Sequence, residues 1–340
     1  MGDTAIDLGT ANTRIYVRGQ GLVLDEPSVV AVEGGKVVAA GHAARRMIGQ
    51  APAGVSIGRP MRHGAIADFG LADRMLRHFM GQVQRWGRVL RPRVAVAVSA
   101  NATVVERRAV QDAAYRAGAR SVHPIDAPIA AAMGCGLHVE DAAAAMVVDI
   151  GAGTTEVAIM SLGGVVVSHT ARVGGDAVDR AIASYVRSEH AMLVGDQAAE
   201  RAKIGLGGVV EISGRYAASG LPGTLALPAE AVAQAMSEAV GGIMTAILDV
   251  LEVCPPELAG DLMDRGIALT GGGSLLPGLS DLLRKETELP VQIVDEPHSA
   301  VVVGAARHLE GLETFRGVRW RRAALVPVRG RSRAGSPSRG

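Results

Sequence analysis

Aromatic residues are scarce, at three Phe, two Trp and four Tyr in 340 residues. With 48% of the chain hydrophobic, the cores must be filled by Val, Ala, Leu and Ile, a composition suited to the buried strands of an α/β protein. Cysteine is limited to Cys135 and Cys254. Neither has metal-type spacing and two make no disulfide framework, so a reducing compartment is expected. A net charge of +1 argues against an electrostatic nucleic-acid binder, and no specific nucleic-acid partner is expected. The N-terminus lacks the basic and apolar regions of a signal peptide. No uninterrupted apolar run reaches the ~18 residues of a spanning helix. Acidic residues are absent after Glu313, where eight arginines follow: Arg316, Arg319, Arg321, Arg322, Arg329, Arg331, Arg333 and Arg339. Residues 316–340 form a basic tail that is expected to be disordered.

What the chain does contain is a short loop signature that occurs twice. Asp7-Leu8-Gly9-Thr10-Ala11-Asn12-Thr13 follows Ala5-Ile6, and Asp149-Ile150-Gly151-Ala152-Gly153-Thr154-Thr155 follows Ala145-Met146-Val147-Val148. Each reads as a strand that ends in an Asp and turns through small residues. Such turns let backbone N–H groups converge on an anion. Thr10, Asn12, Thr154 and Thr155 add side-chain donors. Asp7 and Asp149, at the strand ends, are placed to hold Mg²⁺ through its waters. The repetition points to a duplicated chain with one phosphate-binding turn per half.

The rest of the pattern supports duplication. Strands are expected at 15–17, 28–32, 36–38, 93–98 and 122–125, and helices at 71–86 and 128–133. Thr103 and Glu106 fit a capping box, and Gly118 closes the helix they begin. In the second half, strands at 156–160 and 165–169 precede helices at 177–188 and after Pro228. A strand at 266–269 runs into Thr270-Gly271-Gly272-Gly273-Ser274, a third Gly-rich turn that reads as a flat surface for a nucleoside. Glu200 and Lys203 share a helix face, where a solvated ion pair is the simpler reading. There is no Ser/His/Asp triad, metal cluster or GxxxxGK[ST] loop.

These motifs resemble the actin/Hsp70/sugar-kinase superfamily, and within it the MreB family of bacterial actins. The resemblance covers residues 5–310. Beyond the two loops it rests on Asp25-Glu26-Pro27-Ser28-Val29, Arg59-Pro60-Met61, Ala67-Asp68-Phe69, Glu106-Arg107-Arg108-Ala109-Val110, Val173-Gly174-Gly175-Asp176 and Leu269–Leu276. It implies an α/β, actin-like fold with two duplicated RNase H-like lobes around a nucleotide cleft. The lobes would span 1–137, with an outer subdomain at about 30–75, and 138–300, with one at about 177–255. A helix at 301–315 would return to the first lobe.

By position, Gly9, Thr10, Ala11 and Asn12 would bind ATP phosphates from one side, and Gly151, Ala152, Gly153 and Thr154 from the other. Glu200 and Lys203 would contact the nucleoside, and Gly271, Gly272, Gly273 and Ser274 would pack on it. The family further implies ATP and Mg²⁺ as ligands and a head-to-tail homopolymer. It implies a cytoplasmic location, peripheral on the inner face of the cell membrane, and partnership with cell-wall elongation proteins. Membrane contact is expected at Trp86, Val89 and Leu90, apolar tips beside arginines.

The chain departs from its family at Asp126-Ala127-Pro128, where relatives carry Glu-Glu-Pro. Ala127 stands in place of the Glu that orients the attacking water. Slow hydrolysis with binding retained is the expectation, with Asp126, Thr154 and Thr155 as partial substitutes. Ala152 replaces the middle Gly of the second loop and would be strained at positive φ. Alternatives are a hydrolysis-deficient static scaffold or co-polymer partner and, from the enzyme class, a small-molecule kinase of the same superfamily. A chaperone would need a substrate domain beyond this length.

Overall fold

The computed structural model describes residues 2–85 and 91–314. Two five-stranded sheets carry the fold. In the first, strands Gly21–Pro27, Asn12–Val17 and Thr4–Leu8 form an antiparallel meander. Arg93–Val98 and Ser121–Asp126 then add in parallel beside Thr4–Leu8. The second sheet repeats this arrangement. Gly164–Ala171, Thr155–Ser161 and Ala145–Ile150 form the meander, and Ile267–Thr270 and Val291–Ile293 add in parallel. The duplication inferred from two short loops thus extends to strand order and direction.

Each sheet feeds an outer insertion. The first contains a three-stranded sheet built around Val30–Glu33, a two-stranded hairpin at 61–66 and helix Phe69–Arg85. The second contains helices Gly175–His190 and Asp196–Ile204, strands Val210–Tyr216 and Pro222–Leu227, and helices Ala229–Glu252 and Pro256–Arg265. The last of these was not expected: the Pro255-Pro256 break starts a new helix, with Pro256 at a position that lacks a helical N–H partner. Ala229–Glu252 is long and apolar enough to cross a membrane by length and composition. Val232, Met236, Ile243, Ile247 and Val250 of that helix are buried in the core of the second sheet.

Local signals were accurate where neighbours in sequence decide geometry. Helix Val104–Arg116 carries the Thr103/Glu106 capping box, with both reciprocal bonds made. Gly118 follows it at φ 103°. The Gly34-Gly35 turn joins Val30–Glu33 to Lys36–Ala40, both glycines at positive φ. Gly272–Leu275 forms a 3₁₀ turn, and helix Leu279–Thr287 follows it after Gly278 at φ 79°.

The joint between the halves is built mostly of small side chains. Helices Ala127–Gly134 and Ala300–Thr314 cross closely, covered by Ala130, Ala131, Ala132, Val302, Ala305 and Ala306. Ala5 and Ala95 of the first sheet and Val147 and Ala158 of the second enter the same cluster. A Cβ on Gly304 would lie 1.7 Å from the Ala130 carbonyl oxygen, and one on Gly134 would lie 1.8 Å from that of Ala300. Small side chains permit this approach, and larger ones would prise the sheets apart.

Candidate functional site: a cleft between two phosphate loops

Both loops close in the same way. Gly9 N–H donates to the Asn12 carbonyl at 3.0 Å, and Gly151 N–H to that of Thr154 at 2.8 Å. Each loop is then anchored to its own half. Ser28 Oγ donates to the Gly9 carbonyl at 2.7 Å. Asp176 N–H donates to the Ala152 carbonyl at 2.8 Å, and Gly175 N–H to that of Gly151 at 3.0 Å. These bonds hold the remaining loop N–H groups in place around a shared cavity of about 570 Å³. Ala152 is not among the residues at positive φ, so the strain considered for it is absent. Glycine is needed at 153 for a different reason: a Cβ there would sit 2.5 Å from Thr10 Oγ1 and 2.9 Å from the His63 backbone.

Asp7 and Asp149 face the same cavity. Burial raises the Asp7 carboxyl above its ordinary range, with Arg14 opposing. Burial, then the charges of Glu156 and Asp7, push Asp149 up to about 7. Two acids whose ionisation is disfavoured by burial suit a dication that restores both charges. No set of three His, Cys, Asp or Glu side chains forms a metal cage among the described residues.

The third Gly-rich turn packs on the second loop. At φ 79°, Gly271 has no room for a Cβ, which would fall 2.3 Å from Asp149 Oδ1. Gly271, Gly272 and Gly273 line the cavity together with Ile204, Leu275, Leu276 and Pro277, which supply an apolar wall. Ser274 does not line it. Fully buried, it donates from Oγ to the Gly271 carbonyl at 2.6 Å and stabilises the turn from inside.

Two further expectations are corrected by side-chain direction. Asp126 is not free to act on water, since Arg107 Nη2 donates to its Oδ1 at 2.5 Å and it stands outside the cavity lining, where Ala127 is found. Thr155 is fully buried and donates to the Val173 carbonyl at 2.9 Å. Thr154 remains on the cavity wall. Glu200 and Lys203 do reach the cavity, but as members of ion pairs. Lys203 Nζ lies 2.8 Å from Asp179 Oδ1 and donates to the Gly175 carbonyl at 3.3 Å. Glu200 accepts from Arg45 of the opposite half, and Gln197 Nε2 donates to the Arg45 carbonyl at 3.2 Å.

Two participants escaped the sequence reading. One is the hairpin turn His63-Gly64, which touches both loops. Gly64 N–H donates to Thr10 Oγ1 at 2.9 Å, and His63 Nδ1 donates to the Gly153 carbonyl at 3.2 Å in the tautomer protonated there. Its available signal was a His-Gly pair, at φ 48° and 72°, between two matched segments. The other is Glu156, buried at 5% exposure in the strand beside Asp149. Burial raises its carboxyl to about 7 against hydrogen bonds from Ser99 and the Ala100 backbone. The residues expected at the membrane, Trp86, Val89 and Leu90, and the tail from 316 lie outside the described residues.

The paired loops, their shared cavity and the repeated sheets form one frame, and comparison with known proteins meets it over nearly its whole length. The MreB/Mbl protein family model matches residues 1–317. The chain belongs to the MreB/Mbl family of cell shape-determining actin homologues. It is 46% identical to the cell shape-determining protein MreB of Escherichia coli (strain K12), over 93% of this chain and 95% of that one. Against the cell shape-determining protein Mbl of Bacillus subtilis (strain 168) the identity is 40%, with 92% and 96% covered. Among solved structures, MreB5 of Spiroplasma citri bound to AMPPNP superposes with a TM-score of 0.87 at 32% identity, covering 92% of this chain and 97% of that chain. The MamK double helical filament shares the fold at TM-score 0.74 and 20% identity, covering 91% and 98%. The actin-like architecture expected of an MreB/Mbl protein is therefore the one observed.

Proposed function

We propose that this MreB/Mbl protein binds Mg-ATP between its two phosphate loops, assembles head to tail in that state and hydrolyses the nucleotide slowly. The observation that carries this reading is the convergence of two loops of the same construction on one cavity that also holds Asp7 and Asp149. Backbone N–H groups of Gly9–Asn12 and Gly151–Thr154 would bind phosphate oxygens, and the wall from Ile204 to Pro277 would take the base. Asp7 and Asp149 would hold Mg²⁺ through water. The ion supplies charge neutralisation on the phosphates. Support for nucleotide binding comes from MreB5 of Spiroplasma citri, solved with AMPPNP and with ADP. Ala127 on the cavity wall is the basis for slow turnover.

Binding that favours closed lobes also favours a subunit shape suited to assembly. The filaments would organise cell-wall synthesis with elongation proteins at the inner face of the cell membrane. Attachment there would use Trp86, Val89 and Leu90, a part supported by sequence alone. Sedimentation with ATP, ADP or no nucleotide, with phosphate release followed in the same sample, tests the proposal. ATP-dependent pelleting with slow release is expected, and no nucleotide dependence would refute it. Pelleting without any release would favour the static scaffold. Anionic liposomes added to the same run should pellet the parent chain, and a Trp86→Ala/Leu90→Ala variant should bind them less.

Arg45 and Glu200 join the outer insertions above the cavity, so ligand exchange must part them. Both side chains are one-third exposed, which limits the pair to about 1 kcal/mol or less. Arg45→Ala is therefore expected to speed release of a fluorescent ADP analogue by about two- to fivefold, measured by stopped flow.

A further inference from the structure

The Ala127 position leaves the cavity without the carboxylate expected on that wall, yet a different carboxylate reaches the same space. Glu156 belongs to strand Thr155–Ser161 of the second sheet, opposite Asp149 in the register. Its side chain crosses to the first half, where Ser99 and the Ala100 N–H donate to it just beyond strand Arg93–Val98. Those bonds fix the side chain. Its Oε2 is buried and has no hydrogen-bond partner, while the residue lines the cavity shared with Ala127, Thr154 and both loops.

An unpartnered buried carboxylate oxygen is costly to leave unsatisfied. A water molecule in the cavity is the natural donor to it. Ala127 cannot hold that water, Asp126 is engaged by Arg107, and Thr155 is engaged by Val173. Along the strand, positions 154 and 156 share a face and 155 opposes them. Thr154 and Glu156 accordingly present an hydroxyl and a carboxylate to the same side.

We propose that Glu156 is the residue that orients the attacking water for ATP hydrolysis in this protein. The inference rests on the nucleotide reading above. Glu156 accepts a hydrogen bond from the water, whose oxygen forms a bond to Pγ. The bond from Pγ to the bridging oxygen breaks, and its electron pair leaves with ADP. The proton lost by the water ends on the released phosphate. Glu156 supplies position without a net proton change, which suits phosphoryl transfer, where positioning and charge stabilisation do most of the catalysis.

Glu156→Gln keeps the shape and an oxygen for Ser99 but weakens the acceptor. It is expected to lower phosphate release about 10- to 100-fold, while affinity for a fluorescent ATP analogue changes less than about twofold. A readout independent of turnover is the binding of ADP with metal fluorides. ADP with aluminium fluoride, which recruits an in-line water, should bind the variant about tenfold more weakly than the parent. ADP with beryllium fluoride, which does not, should bind both equally. The double variant Ala127→Glu/Glu156→Gln should recover turnover, because a carboxylate again faces the water. Unchanged release in Glu156→Gln, equal loss of both fluoride complexes, or failure of the double variant to recover overturns the proposal and leaves Glu156 a structural tie. A parent chain that binds no ATP analogue overturns the nucleotide reading along with it.

Discussion

Ala127→Glu is expected to release phosphate from Mg-ATP about 10- to 100-fold faster than the parent chain, with nucleotide affinity unchanged. Ala127 begins helix Ala127–Gly134 and lines the cavity. Pro128 follows it inside the first turn, which restricts the backbone and hence the direction of any side chain at 127. A carboxylate there also meets the positive end of the helix, which favours the charged form. The cavity of about 570 Å³ has room for it, and Arg107 keeps its present partner in Asp126. Only the orientation of water should change, so the gain belongs in turnover and not in binding. Phosphate release from matched concentrations of the two proteins, with a binding titration beside it, checks this. Equal rates would show that water is already held as well as a Glu at 127 can hold it.

Gly304→Ala is expected to destabilise the protein by about 3 kcal/mol, lowering the apparent melting temperature by roughly 4 °C. The added Cβ would lie 1.7 Å from the Ala130 carbonyl oxygen and 2.7 Å from the Gly134 nitrogen. Both are helix backbone atoms, so no rotamer change relieves the contact. Helices Ala127–Gly134 and Ala300–Thr314 would have to separate, opening a core in which both sheets take part. A control at Gly311, where a Cβ meets nothing within 4 Å, should melt at or above the parent temperature, because Ala is the better helix former. Thermal unfolding of the three proteins checks the pair. A parent-like melting temperature for Gly304→Ala would mean that the crossing carries little of the stability.

Much of the fold was legible because it is written in neighbouring residues. The turns at Gly9–Asn12 and Gly151–Thr154 close through bonds three residues apart, and the Thr103/Glu106 box spans the same distance. The cavity wall was legible too, since Asp7, Asp149 and both loops stand where strand-end geometry places them. The misreadings share one cause. Asp126 and Thr155 stand beside the loops in sequence, but each turns to a partner far along the chain, Arg107 and the Val173 carbonyl, while Ser274 turns inward to the Gly271 carbonyl of its own turn. Ala152 stands where a glycine is expected, yet it takes no positive φ.

The amino-acid sequence alone therefore determined the duplicated plan and the two matching turns, since backbone turns depend on local residues. The tertiary structure decided which polar groups face the cavity. That choice depends on strand pleat and on partners far along the chain: Ser99 for Glu156, Arg45 for Glu200, and the two phosphate loops for the His63-Gly64 hairpin. A buried polar group must find its partner wherever the fold brings one, and only the assembled sheets show where that is.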